Sequence, residues 1–332
     1  MTARLLIGPA GSGKTRRCLQ ALRDCERAGE AALLVVPDQF TYAADRLLLE
    51  EGSLAGTRHA RVISFRRLAR MIAAGAEPVT DLISDEGRRL ILYPILQSLP
   101  ATALGPFAPV RLMPGFVAAL ADAVAEVKGI GGDEAAERLA LAAGAGAKAA
   151  AFARIVREYD AALAGAGLRD PGDWMRELAA DLERRPARWS GLRLWMDGFT
   201  SFTPEERALL PPLAAAAREF TITLCADGSE ARALLAQARD AADFSADPLS
   251  SLLGPRLRSR LRRPQFLPVL RTALWLQQRI AGLAVEAPPE APLRFGPASE
   301  LALLEAGLFA TAPPDPGSAP AAADPRRPAP RP

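Results

Sequence analysis

The first 74 residues alternate short apolar runs with longer amphipathic stretches. Each apolar run has the length of a buried strand, and each is soon followed by apolar positions at helical spacing. Strands and helices that alternate in this way are typical of a parallel sheet covered on both faces. The predicted strands are residues 5–7, 32–36 and 60–64, and the predicted helices are residues 15–28, 40–51 and 65–74.

The pattern changes after residue 74. From 75 to 188 the strand signals stop and alanine and leucine recur at helical spacing, which indicates an insertion of several amphipathic helices. Apolar strands return at residues 192–196 and 220–225. A helix is predicted between them over residues 204–218, because a proline and two glutamates fill its first turn and Thr203 stands at the capping position.

These elements predict an α/β fold with a parallel sheet and a large all-helical insertion. The sheet domain would be built from residues 1–74 and from residues 189–310, which include a further helix predicted at 272–283. Residues 75–188 would form the insertion. From residue 311 to 332 the chain is rich in proline, alanine and arginine, a composition that predicts a disordered tail or linker.

Composition narrows the class of protein. The formal net charge of +3 over 332 residues permits a nucleic-acid partner without requiring one. His59 is the sole histidine and the three cysteines lack metal-ligand spacing, so neither a zinc site nor a histidine-dependent triad is expected. Cys18 and Cys25 share one predicted helical face and are expected to be buried. Sparse cysteines favour the cytoplasm, and no apolar stretch reaches the ~20 residues of a membrane span.

The strongest motif lies at residues 8–15, which read Gly-Pro-Ala-Gly-Ser-Gly-Lys-Thr between a predicted strand and a predicted helix. This is the pattern of a P-loop, whose backbone N–H groups surround the phosphates of ATP. Lysine is otherwise rare here, since only three of the 41 Lys and Arg residues are lysine. A compact ammonium suits the space between phosphates. The predicted ATP-binding residues of the loop are Gly8, Gly11, Ser12, Gly13, Lys14 and Thr15.

A magnesium ion beside the loop would need oxygen ligands. The Thr15 hydroxyl is one predicted ligand, and Asp197, at the end of the apolar run 192–196, is the second. The next residue is Gly198, where a hydrolysing enzyme usually has a glutamate, so the site is predicted to hold ATP and Mg²⁺ and to hydrolyse ATP poorly. Alternatively, Asp197 only begins a turn with Gly198.

Two segments that follow predicted strands have the residue types of a nucleic-acid interface. Gln39 and Thr41 can hydrogen-bond to bases or phosphates, and Phe65 can stack on an unpaired base. Arg67 and Arg70 belong to a positive patch on the helix after Phe65. The carboxyl ends of parallel strands lie on one edge, so both segments should open beside the P-loop. The alternative is a solvated basic helix face with Phe65 in the core.

The order of these motifs resembles the amino-terminal region of AddB, the B subunit of the bacterial AddAB helicase–nuclease. The resemblance rests on the P-loop, on Val-Pro-Asp-Gln-Phe-Thr at 36–41, on Ser-Phe-Arg-Arg-Leu-Ala at 64–69 and on Asp-Gly-Phe-Thr-Ser-Phe-Thr-Pro-Glu-Glu at 197–206. It covers residues 4–228 and continues more weakly at 301–309.

The resemblance implies a degenerate, RecA-like superfamily 1 helicase fold that keeps a P-loop, has lost motor activity and scans single-stranded DNA for the recombination hotspot Chi. It also implies an AddA-type partner subunit, both single- and double-stranded DNA as ligands, and a role in double-strand break repair. By similarity, the expected DNA contacts are Gln39, Thr41, Phe65, Arg67, Arg70 and Phe199 or Phe202.

Two departures from the family pattern change these expectations. Some family members have tryptophan where this chain has Arg70, so a stacking contact would be replaced by a cationic one. Members are also much longer and end in a nuclease with an iron–sulfur cluster, whose motifs this sequence does not contain. The chain therefore resembles a truncated AddB.

Other functions stay open from the residues alone. A small-molecule P-loop kinase or ATPase would share the motif at 8–15, although a helical insertion of this size is atypical for such a kinase. An active superfamily 1 helicase would need the acidic pair that Gly198 interrupts. A structural scaffold with a vestigial P-loop would not be stabilised by ATP.

Overall fold

The computed structural model describes residues 2–50, 54–73, 82–131, 146–240 and 264–287. Its centre is a six-stranded sheet in the order β3-β2-β4-β5-β1-β6, in which all neighbouring strands are parallel. The predicted parallel α/β arrangement is therefore confirmed. The strands are β1 Thr2–Gly8, β2 Ala32–Val36, β3 Ala60–Ser64, β4 Arg193–Met196, β5 Glu219–Cys225 and β6 Ala284–Glu286.

Helix α1, Lys14–Ala28, covers one face of the sheet. Its buried side chains, which include Cys18, Leu19 and Leu22, pack in one cluster with residues of β2 and with Trp195 of β4. The two cysteines predicted to be buried, Cys18 and Cys25, are both buried, and burial raises the pKa of each thiol. All five residues of β2 are buried, as expected for a strand covered on both faces.

Three further helices belong to the sheet-containing part of the chain. A 3-10 turn at Asp38–Phe40 leads into α2, and a second at Pro264–Phe266 leads into α11. The helix predicted at 40–51 is α2, which begins one residue later because Phe40 belongs to the 3-10 turn. The helices are α2 Thr41–Glu50, α10 Gly228–Asp240 and α11 Leu267–Arg279.

The remaining helices build a separate all-helical core. They are α3 Phe65–Ala73, α4 Asp85–Ser98, α5 Ala101–Leu104, α6 Pro114–Ile130, α7 Gly146–Ala166, α8 Pro171–Arg184 and α9 Pro204–Ala216, with 3-10 turns at Gly105–Val110 and Pro186–Trp189. Helix α4 packs on α6 and α7, and α8 packs on α6 and α9. Leu92, Val124, Ile155 and Tyr159 are among the fully buried side chains at their contacts.

The chain divides into two compact units. The first contains the described residues up to Phe65, the segment Trp189–Ser201 and the described residues from Ala217 onward, and it holds the sheet. The second contains Arg66–Arg188 and Phe202–Ala216 and holds the helical core. Helix α9, which the sequence assigned to the sheet domain, falls in the helical unit. The predicted tail at 311–332 lies outside the described residues.

Two elements near the end of the described chain differ from the prediction. The helix predicted at 272–283 is α11, which begins at Leu267 and ends at Arg279. It ends before Gly282, whose φ of 69° breaks helical geometry. Strand β6 was not predicted, because three residues give too short an apolar pattern, and it forms by pairing with residues 4–6 of β1.

The predicted start of α9 is confirmed by its hydrogen bonds. The Glu206 N–H donates to Thr203 Oγ1 over 3.3 Å, and the Thr203 N–H donates to Glu206 Oε2 over 3.0 Å. This reciprocal pair is a capping box, which satisfies two N–H groups that the helix cannot pair internally.

The helices were also compared with the dimensions of a membrane span. In the described part of the chain, no single helix is long and apolar enough to cross a membrane. One pair, Ala101–Val110 with Pro114–Gly129, meets these criteria jointly across a bend of 120°.

Candidate functional site

A glycine-rich loop joins β1 to α1 at the carboxyl edge of the sheet. Gly11 and Gly13 have φ angles of 76° and 82°, a left-handed conformation that glycine adopts without Cβ strain. The Ser12 hydroxyl donates to the Pro9 carbonyl over 2.8 Å, and the Ser12 N–H donates to the same oxygen over 3.3 Å. The loop is therefore closed on itself by short-range bonds before α1 begins.

Lys14 is the first residue of α1, and its side chain folds back under the loop. The ammonium donates to the Gly8 and Pro9 carbonyls, each over 2.7 Å, and to Ser12 Oγ over 3.3 Å. All three ammonium protons thus have acceptors within the loop. Burial lowers the pKa of Lys14, and negative charge at Cys225 and Asp197 opposes that shift. A buried cation held only by neutral oxygens is an attractive centre for an anion.

Asp197 directly follows β4, and its backbone and carboxylate form hydrogen bonds with β2, α1 and β5. Its N–H donates to the Val35 carbonyl of β2 over 3.0 Å. Oδ2 accepts from the Thr15 hydroxyl over 2.7 Å, and Oδ1 accepts from the Thr223 hydroxyl of β5. The structure therefore brings Asp197 to the adjacent residues Lys14 and Thr15, although 182 positions separate Thr15 from Asp197 in the sequence.

Thr223 was not among the candidates named from the sequence. A signal was present, because Phe220, Ile222 and Leu224 of β5 are apolar while Thr221 and Thr223 lie at the alternate positions. Both threonines are buried. Buried hydroxyls on an otherwise apolar strand mark positions where a polar partner is expected, but only the strand order reveals that partner.

Gly198 directly follows Asp197 in the loop after β4. Its φ is 83°, and a Cβ added there would lie 3.3 Å from Cδ of Pro37 and 3.8 Å from Cδ2 of Phe40. The loop after β2 thus lies against this glycine. Glycine suits position 198 because the backbone there is left-handed and because a side chain would come close to Pro37 and Phe40.

The candidate DNA-binding residues of the sheet unit differ in exposure. Gln39 is exposed in the turn after β2, and Thr41 is half-buried, with its hydroxyl donating to the Asp38 carbonyl over 2.8 Å. Phe199 is half-buried in the loop after β4. Phe65, the first residue of α3 and the one directly after β3, is buried with 4% of its surface exposed. Its burial matches the alternative in which this ring belongs to the core.

The remaining candidates belong to the helical unit. Arg67 and Arg70 are exposed and are three residues apart on α3, so they share one face of that helix. Phe202, just before α9, is buried with 3% of its surface exposed. The arginines are therefore accessible to a ligand, whereas the Phe202 ring is accessible only if its surroundings move.

Comparison with known proteins adds family information to this geometry. Residues 5–242 match the family model described as ADDB, N-terminal. The chain belongs to this AddB amino-terminal family. The match includes the glycine-rich loop, Asp197, Thr223 and every DNA-binding candidate.

Several curated proteins resemble this AddB-family chain, and three examples are each named as the B subunit of an ATP-dependent helicase/deoxyribonuclease. The protein of Symbiobacterium thermophilum is 33% identical over 324 residues, which cover 92% of this chain and 26% of that protein. The protein of Moorella thermoacetica is 34% identical over 244 residues, which cover 68% of this chain and 21% of that protein. The protein of Pelotomaculum thermopropionicum is 36% identical over 239 residues, which cover 68% of this chain and 20% of that protein. The matches thus span between a fifth and about a quarter of each relative.

Proposed function

We propose that this chain is the nucleotide- and DNA-binding amino-terminal region of an ATP-dependent helicase–nuclease subunit that acts in recombinational repair of double-strand breaks. The observation that carries the proposal is the meeting of Lys14, Thr15 and Asp197 at one sheet edge, in a chain that belongs to the AddB amino-terminal family. The names of the relatives supply the reaction class, which is an ATP-dependent action on DNA.

In this proposal the glycine-rich loop is a P-loop on a RecA-like sheet. Gly8, Gly11, Ser12 and Gly13 surround the phosphates, and the Lys14 ammonium exchanges its loop carbonyls for phosphate oxygens. The charge balance supports this exchange, because an ammonium now held by neutral carbonyls gains charge-assisted bonds from phosphate.

The donor set also fits magnesium. Mg²⁺ prefers oxygen ligands and is usually held by one or two protein groups together with phosphate oxygens. The Thr15 hydroxyl and the Asp197 carboxylate lie 2.7 Å apart, so both oxygens face one small region. When bound, Mg²⁺ would be held by Thr15 and Asp197 and would neutralise negative charge on the phosphates.

We further propose that the site binds ATP without driving a motor. Asp197 is followed by Gly198, which has no carboxylate to orient water as in hydrolysing enzymes, and its φ of 83° and close approach to Pro37 make any larger residue strained there. Bound ATP would then stabilise this region without powering movement along DNA.

Single-stranded DNA would run along the edge where the strands end. Within the sheet unit, Gln39 and Thr41 supply polar contacts there and Phe199 supplies an aromatic surface. In the helical unit, taken by itself, Arg67 and Arg70 on α3 supply phosphate contacts. Phe65 and Phe202 are buried, so we propose that they support the neighbouring contacts unless DNA binding uncovers them. Scanning of DNA for Chi belongs to the same proposal.

The relatives are named as a subunit, so we propose an AddA-type helicase–nuclease as partner, with double-stranded DNA as the substrate of the complex and the cytoplasm as its location. The division into sheet domain 1–74 and 189–310, helical insertion 75–188 and tail 311–332 is likewise proposed, except that Arg66–Ala73 and α9 are grouped with the helical unit. The long segment Arg66–Arg188 of the helical unit supports the boundary between residues 188 and 189.

Paired assays on one sample test the proposal. Fluorescence anisotropy with labelled single-stranded DNA, with and without Mg·ATP, is combined with a phosphate-release assay. DNA binding with negligible phosphate release is the expected result. Brisk phosphate release without DNA binding, or phosphoryl transfer to a small acceptor, would instead favour a small-molecule ATPase or kinase.

Replacing Arg67 by alanine is expected to weaken single-stranded DNA binding. An arginine that contacts a DNA phosphate displaces counterions when the DNA binds. Without that contact, the plot of log K against log salt concentration should become less steep by about the contribution of one phosphate. Anisotropy titrations at several salt concentrations measure both quantities. Arg27→Ala is the matched control, because Arg27 is an exposed arginine in the last turn of α1, far along that helix from the glycine-rich loop. Equal salt slopes for the two variants would favour the alternative in which Arg67 lies on a solvated basic face of the helix and does not contact DNA.

A further inference from the structure

The Asp197 carboxylate is held in place by a residue of another strand. Thr223 of β5 donates its hydroxyl to Oδ1, and only 2% of Thr223 is exposed. Asp197 itself is 7% exposed and directly follows β4, the neighbour of β5 in the sheet. A carboxylate this buried needs hydrogen-bond donors to offset its lost hydration, and Thr223 provides one from within the sheet.

The bonds of Asp197 fix the direction of its free lone pairs. The N–H is tied to the Val35 carbonyl of β2, and Oδ1 is tied to Thr223. Oδ2 is thereby directed to the hydroxyl of Thr15 over 2.7 Å. Without the Thr223 hydroxyl, the carboxylate could rotate about its Cβ–Cγ bond, and Oδ2 would lose its fixed orientation.

We infer that Thr223 is the positioning residue that orients Asp197 toward the metal of a bound Mg·nucleotide. This inference rests on the proposed function, because it assigns a role within the same nucleotide site. Thr223 makes no bond to Lys14 or the glycine-rich loop among the described contacts, so its effect passes through Asp197 alone. It should therefore govern the magnesium-dependent part of nucleotide binding and leave the magnesium-independent part unchanged.

The same strand provides a matched control. Thr221 lies two residues earlier on β5, so its side chain is on the same face of the strand. It is also buried, at 3% exposed, but its hydroxyl has no hydrogen-bond partner among the described residues. Thr221→Val and Thr223→Val make the same chemical change at the same depth, and they differ in the bond to Asp197.

The experiment measures ATP affinity by titration calorimetry, in Mg²⁺ and in EDTA, for the wild type, Thr223→Val, Thr223→Ser and Thr221→Val. Loss of a residue that orients a metal ligand typically lowers metal affinity by about 10- to 100-fold. Thr223→Val should therefore lose about 10-fold or more of the affinity gain that Mg²⁺ gives, with unchanged affinity in EDTA. Thr223→Ser keeps the hydroxyl and should behave as the wild type, as should Thr221→Val.

Three outcomes would contradict the inference: no loss in Thr223→Val, equal losses with and without Mg²⁺, or an equal loss in Thr221→Val. Should Thr223→Val not fold, as judged by circular dichroism, Thr223→Cys replaces it. The thiol is a weak donor, so an intermediate loss confined to the Mg²⁺ titration is expected. Failure of the wild type to bind ATP in either buffer would overturn the proposed function itself, and is thus distinct from failure of the Thr223 role.

Discussion

Replacing Lys14 by alanine is expected to lower the affinity for ATP by about 10- to 100-fold, because hydrogen bonds to a charged group contribute about 1.5–3 kcal/mol and each 1.4 kcal/mol is a factor of ten. The ammonium lies under the glycine-rich loop, where it donates to the Gly8 and Pro9 carbonyls and to Ser12. Phosphate oxygens would be its strongest acceptors there.

The same variant is expected to stay folded. Lys14 is 8% exposed, and its burial lowers the pKa of its ammonium, which means that the fold holds this charge against a desolvation penalty. Removing the charge relieves that penalty while three hydrogen bonds are lost. The two effects oppose each other, so the melting temperature should move by only about a few degrees.

Titration calorimetry with ATP and a thermal melt of each variant check both parts. Lys148→Ala is the control, since Lys148 is an exposed lysine on α7 of the helical unit and has no place in the proposed site. Equal ATP affinity in Lys14→Ala, Lys148→Ala and the wild type would contradict the P-loop proposal. A collapse of the fold in Lys14→Ala would show instead that the ammonium has a structural role.

Replacing Asp170 by alanine is expected to destabilise the helical unit by about 3–5 kcal/mol, the usual effect of leaving one member of a buried ion pair unpaired. Asp170 is 1% exposed and caps α8 by accepting from the Gly172 N–H over 2.9 Å. Its Oδ2 also accepts from the Tyr159 hydroxyl over 2.8 Å and from Arg88 over 3.2 and 3.3 Å.

The expected loss has three sources, which are the ion pair with Arg88, the hydrogen bond from Tyr159 and the cap of α8. Arg88 is 4% exposed, so without Asp170 its guanidinium would be buried with only Asp85 as its remaining carboxylate partner among the described contacts. Tyr159 is fully buried, and after burial itself the negative charge of Asp170 is the largest factor that raises the pKa of its hydroxyl. Alanine would also remove the cap of α8, which contributes about 1 kcal/mol in typical helices.

Urea denaturation followed by circular dichroism measures the free energy of unfolding. Asp85→Ala is the matched control, because Asp85 pairs with the same Arg88 over 2.8 Å but 80% of its side chain is exposed. Its replacement should lower stability by less than about 1 kcal/mol. Asp170→Asn, which keeps an acceptor for the cap, should fall between the two. Comparable losses for Asp85→Ala and Asp170→Ala would contradict the assignment of Asp170 as the centre of this buried network.

The three lysines of the chain show which features of the structure could be predicted from the sequence. Their rarity singled out Lys14, and the structure places that ammonium beneath the glycine-rich loop. It also places Lys128 in a second buried position, where Asp160 and Asp173 flank the ammonium. Nothing local to residue 128 predicted this ion pair, because its partners lie on α7 and α8. Lys148 is exposed.

The sequence by itself determined the local elements. Strands β2 and β3 are predicted to the residue, because short apolar runs between turn signals are typical of buried strands. The start of α9 was determined by a capping box, and the conformation of the loop before α1 by its glycines. Each of these signals depends on residues that are close together in the chain.

Only the tertiary structure decided which of these elements are neighbours. The order of the six strands places β5 between β1 and β4, and so brings Thr223 to Asp197 and Asp197 to Thr15. Strand β6 exists because β1 offers it an edge to pair with. The grouping of α9 with the helical core follows from its packing on α6 and α8. These contacts join residues that are far apart in the chain, and their free energy comes from burial and pairing across the fold, which no local pattern of residues encodes.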